Sequence, residues 1–269
     1  MFRLKKLLIL ILFMAGLPLQ IIQSQGDQPD GYPEFVIPNT ETIAMSSGSR
    51  DYQILVGLPE NYSSSDPNRR YSVVYVLDAN YYFGAVTDFI RVENLVQELP
   101  NLIVVGIGYP QNPLGERITD MLENPDQFLA FIGNELIPFI DSHYQTDASP
   151  AERTLIGHSL GGQFVLYSLF SNPELFSRYV AASPGSPGWD TIIPLEADFS
   201  NDHSELPVSL FMSSGEEEQI RSLIEDMFAT IQSRDYDELE ATYFIIENAT
   251  HGSSAIPAIT YGLRYVYDV

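Results

Sequence analysis

Cysteine is absent from this 269-residue chain. That excludes disulfides, a thiol nucleophile, thiolate metal sites and a lipid-modified cysteine behind any export signal. Lysine is nearly absent as well: Lys5 and Lys6, at the extreme N-terminus, are the only two. Beyond them the cations are arginines alone, against 36 acidic residues, and the formal net charge is −23. Such a field repels nucleic acid and anionic membrane surfaces, so neither is an expected partner. Tryptophan occurs once, at Trp189, and histidine four times. There is no internal repeat and no low-complexity tract. Hydrophobic residues make up 45% of the chain, enough for a sizeable core in one large α/β domain.

The one long apolar run stands at the start. Arg3, Lys5 and Lys6 precede Leu7 to Leu19, and Ser24 and Gly26 offer small residues for cleavage. The pattern predicts a signal peptide over 1–26, a mature domain over 27–269, and a secreted or periplasmic location. An anchor helix is the competing reading. Gly16 and Pro18 interrupt the run, however, and Gln20, Gln23 and Gln25 follow it. The run is therefore short for a span, and no stable membrane insertion is expected once it is removed.

Residues 27–33 read as a linker, and strand-like runs follow at Glu34–Ile37, Glu41–Met45 and Tyr52–Leu58, with a hairpin turn at Arg50-Asp51. Glu60 to Arg70 is a polar loop. From there strands and helices alternate. Ser72–Leu77 and Leu102–Ile107 are continuous apolar runs, as in strands buried on both faces. Asp88 to Leu99 carries apolar residues at 89, 92, 95, 96 and 99, which predicts a helix buried along that stripe. Asp126 to Tyr144 is a second helix, with Pro138 as a kink. Strands at 153–157, 178–182, 208–213 and 242–246 alternate with helices at 160–170, 217–233 and 253–267. This predicts an α/β fold: a mostly parallel central sheet, helices on both faces and an antiparallel N-terminal edge.

The segment Gly157-His158-Ser159-Leu160-Gly161-Gly162 joins the apolar strand Thr154-Leu155-Ile156 to the helix-like run from Gln163. Strand, tight Gly-flanked turn and helix form the context of a nucleophile elbow. In it the Ser159 hydroxyl stands clear of both elements, and the following helix aims N–H groups at the same spot.

A serine hydroxyl needs a base to remove its proton. His158 is adjacent to Ser159, so its side chain leaves the turn in the wrong direction. His143 ends a helix and His203 lies in the polar loop Ser200 to Glu205. His251 follows the last strand, at the carboxyl end of the sheet, and is the candidate base. The base needs an acid to fix its tautomer. Strand 208–213 runs into Ser214-Gly215-Glu216-Glu217-Glu218. Glu218 has the turn space to reach an imidazole and ranks first, then Glu217, then Glu216, with Asp190 an outside candidate. The competing reading is that the acidic run caps the helix behind it. The oxyanion hole takes one amide from Leu160 and one from the loop after strand 72–77, at Ala79 or next at Asn80. No metal or organic cofactor is required.

The runs Arg70 to Asn80, Ile103 to Tyr109, Ile156 to Gly162, Ala181-Ala182-Ser183-Pro184 and His251-Gly252-Ser253 together resemble the putative esterase family of α/β-hydrolases. That family includes esterase D, feruloyl esterases, siderophore esterases and mycolyltransferases, and the siderophore-esterase-like branch is the nearest in flavour. The resemblance spans about residues 35–267. It implies Ser159 as nucleophile, His251 as base, and an acid near Glu218. Ala79 stands where the family commonly has Gly, and Glu218 where it commonly has Asp. Some siderophore esterases work with a Ser-His dyad. Arg117, in Gly115-Glu116-Arg117-Ile118-Thr119-Asp120, matches a family arginine after the fourth strand. It is expected to bind a substrate carboxylate or to hold its loop through Asp120. Trp189 and Tyr81 are candidate walls of the substrate pocket, with Tyr82 and Phe83 beside them; for Trp189 the alternative is packing its loop onto the body. The expected function is ester hydrolysis on a small-molecule substrate through an acyl-enzyme. The alternatives are acyl transfer to an alcohol and non-catalytic ligand binding.

Overall fold

The computed structural model describes residues 36–269 apart from 64, 65 and 67. The expected signal peptide and linker lie outside the described residues, as do Glu34 and Phe35 of the first expected strand; Val36 and Ile37 are not strand.

Eight strands form one sheet in the order β1-β2-β4-β3-β5-β6-β7-β8. They are β1 (Thr40–Ser47), β2 (Arg50–Gly57), β3 (Ser72–Leu77), β4 (Leu102–Gly108), β5 (Arg153–His158), β6 (Arg178–Ala182), β7 (Ser209–Gly215) and β8 (Glu240–Ile246). β1 and β2 pair antiparallel, β2 runs antiparallel to β4, and every pairing from β4 through β8 is parallel. The hairpin turn falls at Gly48-Ser49, with Ser47 opposite Arg50, and not at Arg50-Asp51. Two residues suffice to reverse the chain there.

Alternation along the buried strands divides the core in two. Val73, Tyr75 and Leu77 of β3 face one side, Val74 and Val76 the other. The second side is covered by α1 (Ala79–Leu95) and α8 (Ala255–Val266), through Phe83, Val86, Ile90, Ile259 and Leu263. The first is covered by α5 (Leu160–Ser171), α6 (Trp189–Asp202), α7 (Arg221–Ser233) and the helical stretch over 125–143.

The helices correct several expectations. α1 begins at Ala79, nine residues before the expected start, and buries Ala79, Phe83, Val86 and Ile90. Of the expected stripe, Val92, Leu95 and Val96 are exposed, while Phe89 packs partly against the core and Leu99, beyond the helix, is buried. The stretch over 125–143 is α3 (Pro125–Phe131), a π-helical turn (Ile132–Leu136) and α4 (Ile137–His143). Pro138 has no N–H to give, and just before it the Ile137 N–H bonds the Ile132 carbonyl, five residues back. α2 (Pro113–Ile118) and α6 fall where no helix is expected, so Ser200 to Asp202 belong to the last turn of α6 and not to a loop. α7 starts at Arg221 with no acid in its first turn. Glu216 to Glu218 therefore lie in the β7–α7 loop and do not cap the helix.

Gly262 sets how closely α8 approaches the sheet. A Cβ there would overlap Val180 Cγ1 and lie 2.9 Å from Phe211 Cδ1. Gly262→Ala is therefore expected to destabilise the fold by about 1–3 kcal/mol. The measurement is the urea midpoint at unchanged m-value, and an unaltered midpoint would mean that α8 can lift from the sheet at no cost.

Candidate active site

Four loops at the carboxyl ends of β5, β6, β7 and β8 meet at Ser159. The turn between β5 and α5 holds Ser159 at φ 59°, ψ −121°, a conformation that side-chain-bearing residues avoid. The surrounding backbone secures it: Ser159 N–H donates to the Ala182 carbonyl at 3.0 Å, and Gly185 N–H donates to the Ser159 carbonyl at 2.9 Å. The turn can close this tightly because position 157 has no side chain; a Cβ there would overlap the Gly161 backbone.

His251, in the loop after β8, brings its Nε2 to 2.8 Å from Ser159 Oγ. Its Nδ1 lies 3.3 Å from Glu218 Oε2. A carboxylate only accepts, so Nδ1 carries the proton and Nε2 is free to accept from the serine hydroxyl. The Glu218 side chain is fully buried, whereas that of His251 is 41% exposed. Glu218 Oε1 accepts from Gly215 N–H at 2.6 Å, Ser183 Oγ at 2.7 Å and Ser254 Oγ at 3.1 Å. Burial alone would push this carboxyl up, but the hydrogen bonds from His251, Ser183 and Gly215 outweigh it and hold it below the usual value.

The other acid candidates stand elsewhere. Glu217 is exposed and meets the β8 loop through its amide, which donates to the Ala249 carbonyl at 3.0 Å. Glu216 accepts from Asn248 N–H at 2.9 Å. Asp190 is exposed in the first turn of α6. Leu160 and Ala79 are the first residues of α5 and α1, on the neighbouring strands β5 and β3. First-turn amides of a helix have no partner within it, so both are available to a ligand oxygen.

Asn80 does not face that position with its side chain. Its Nδ2 donates to the Tyr109 carbonyl at 2.9 Å and its Oδ1 accepts the Tyr109 N–H at 2.8 Å, which ties α1 to the end of β4. Arg117 does not hold its loop through Asp120. Its Nε and Nη2 make a bidentate pair with Asp78 at 2.7 and 2.8 Å, and Asp120 pairs with Arg50 Nε at 3.1 Å instead. Trp189 is 4% exposed and packs in the core, so it is no pocket wall. Phe83 is core as well. Tyr81 is 52% exposed and meets Tyr82 edge-on, but it does not line the cleft at Ser159. That open cleft, of about 410 Å³, is bounded by Gly185, Ser186, Pro187, Glu217, Gln219 and Thr250 beside Ser159 and His251.

His158 does more than its position beside Ser159 suggests. Its Nε2 donates to the His251 carbonyl at 2.9 Å, and its Nδ1 accepts from Tyr82 Oη, also at 2.9 Å. Ser254 Oγ bonds the same carbonyl at 2.9 Å. The main chain of His251 is thus pinned from two sides. No local pattern in the sequence discloses Ser183, Ser254 or Tyr82 as members of this network. For His158, the only available signal was its place beside Ser159.

An eight-stranded sheet with this order, flanked by helices and carrying a serine, a histidine and a carboxylate in hydrogen-bond sequence at its carboxyl edge, defines an α/β-hydrolase. The profile of the putative esterase family matches residues 46–230, and the chain belongs to that family; it is a carboxylic ester hydrolase. Ferri-bacillibactin esterase BesA of Bacillus subtilis (strain 168) is 34% identical over 220 residues, which cover 69% of this chain and 73% of that one. A siderophore enterobactin esterase of Emericella nidulans is 27% identical, covering 83% of this chain and 92% of that one. Among solved structures, the BES protein from Bacillus cereus aligns with a TM-score of 0.75 at 25% identity, over 90% of this chain and 100% of that one. The siderophore hydrolase EstA from Aspergillus nidulans has the same TM-score at 22% identity, over 88% and 98%.

His158 is 4% exposed, and burial, then the neighbouring His251, depress it from 6.5 to about 4. Between those values the unfolded chain binds a proton that the folded one does not, so stability falls as pH drops from about 6.5 to about 4. The expected loss from this residue is about 3 kcal/mol, at 1.36 kcal/mol per pH unit. His158→Gln should flatten that part of the pH–stability curve measured by urea unfolding. An equally steep curve in the variant would show that other groups carry the dependence.

Proposed function

We propose that this protein is an exported serine esterase that hydrolyses a small-molecule carboxylic ester through an acyl-enzyme. The observation that carries the reading is the continuous contact Ser159 Oγ–His251 Nε2, His251 Nδ1–Glu218 Oε2. Ser159 Oγ attacks the ester carbonyl carbon while its proton passes to His251 Nε2. The carbonyl oxygen becomes an oxyanion and takes the amides of Leu160 and Ala79. Each such donor typically contributes about 3 kcal/mol to the barrier. Glu218 stabilises the imidazolium. The tetrahedral intermediate collapses, the C–O bond breaks, and the leaving alkoxide receives the proton from Nε2. Water then repeats the sequence on the acyl-serine, releasing the acid and restoring the hydroxyl.

The 34% identity to ferri-bacillibactin esterase BesA and the likeness to the other siderophore esterases support an ester of siderophore type as the first class to assay. The composition of residues 1–26 supports export. N-terminal sequencing of protein recovered from a cell-envelope or medium fraction tests it, and an intact Met1 there would count against cleavage.

On short p-nitrophenyl esters, Ser159→Ala and His251→Ala are each expected to lower kcat by about 10³-fold or more with the urea midpoint little changed. Glu218→Ala should cost clearly more than Glu217→Ala. Full turnover in the Ser159 or His251 variant would end the mechanism, and equal turnover in the two glutamate variants would remove Glu218 from it.

A further inference from the structure

We infer that the cleft at Ser159 accepts esters that are uncharged or cationic around the scissile bond and discriminates against those that carry anionic groups next to it. The inference rests on the serine-esterase reading and specifies its substrate class.

The cleft wall supplies the first observation. Among the described residues lining it are Glu217, Glu218, Gln219 and Thr250, and none is Arg or Lys. Glu217 is exposed on the rim, with Glu216 exposed beside it. The Glu218 carboxylate is committed to His251 and to three donors behind it. Its single negative charge is balanced only when His251 takes up a proton.

The arginines near these loops supply the second. Arg117, which the sequence offered as an anion ligand, gives both nitrogens of one edge to Asp78. Arg221, next to the cleft residue Ile220, pairs with Glu225 at 3.2 Å and donates Nη1 to the Glu216 carbonyl at 3.3 Å. Releasing Arg117 for a ligand would leave Asp78, 2% exposed, uncompensated. Arg221 and Glu225 are both over a third exposed, so that pair holds its arginine only weakly. The long-range field has the same sign, since the chain carries −23 and three of its thirteen cations fall within residues 1–26. A cleft lined by one sign of charge raises the local concentration of the opposite sign and lowers that of its own. Between exposed groups the effect is screened within about 8 Å at physiological salt, so ionic strength exposes it.

The test uses p-nitrophenyl esters of equal chain length whose acyl ends are methyl, carboxylate or trimethylammonium. At low ionic strength the carboxylate ester should show kcat/KM about tenfold or more below the methyl ester. Added salt should raise kcat/KM for the carboxylate ester and lower it for the trimethylammonium ester. Glu217→Gln should raise the carboxylate-to-methyl ratio, a quantity insensitive to any general loss of activity. Equal use of the carboxylate and methyl esters at low salt, or a salt dependence of opposite sign, would overturn the inference while leaving the esterase reading intact. Failure to cleave any of the three would overturn both. Methyl-ester cleavage that survives Ser159→Ala would remove the esterase reading and leave the inference without its site.

Discussion

The strained turn at Ser159 is the constraint on which the site depends. A non-glycine residue at φ 59°, ψ −121° costs on the order of 1–3 kcal/mol and persists only when its surroundings leave no relaxed alternative. Here those surroundings are the sheet itself. β5 lies between β3 and β6, and the turn's own amide is taken by Ala182 at the end of β6. Gly185, just beyond, closes the bond to the Ser159 carbonyl. The loop after β6 therefore braces the turn as well as bounding the cleft. Any change that loosens β6 against β5 would act on the hydroxyl without touching it.

The second requirement is a buried carboxylate that stays charged. Removing Glu218 from water would neutralise it unless the protein replaced the lost hydration with donors. Gly215 N–H, Ser183 Oγ and Ser254 Oγ supply them on Oε1, which turns Oε2 toward His251. Ser183 is another non-glycine residue at positive φ, 40°, just past the end of the strand that braces the elbow. Ser254 Oγ lies within hydrogen-bond reach of both Glu218 Oε1 and the His251 carbonyl, and shares its one proton between them. Glu218 and His251 thus share one common partner, and their separation is set by the framework and not by the weak 3.3 Å contact between them.

The sequence disclosed the sheet better than its covering. Val73 to Leu77 and Leu102 to Ile107 are apolar at every position because both their faces are buried, and a run of that kind has few other readings. α1 misled because its exposed face is apolar too: Val92, Leu95 and Val96 give a helical stripe that happens to face outward. α6 carries Pro194 and a mixed sequence with a small apolar face, so local pattern could not separate it from a loop. Within the site, chain order and loop length pointed to Ser159, His251 and Glu218, which the fold brings within hydrogen-bond reach. The roles of Arg117 and Trp189 were illegible for a different reason. Whether a long side chain faces solvent or an internal partner depends on what other loops bring to it. Asp78, 39 residues before Arg117, is such a partner.

The same distinction separates reaction from specificity. Hydroxyl, imidazole and carboxylate are set here by the turns that follow β5, β8 and β7. What surrounds them is not set in that way. In this chain the loops after β7 and β8 bring glutamates and neutral polar groups to the cleft, and the arginines close by are bound to carboxylates. Arginine held in a bidentate pair resists recruitment, because freeing it strands a buried anion as well as moving a cation. Family membership therefore constrains the bond that is broken more tightly than the molecule that carries it, and the charge around Ser159 is the part of the structure that speaks to the latter.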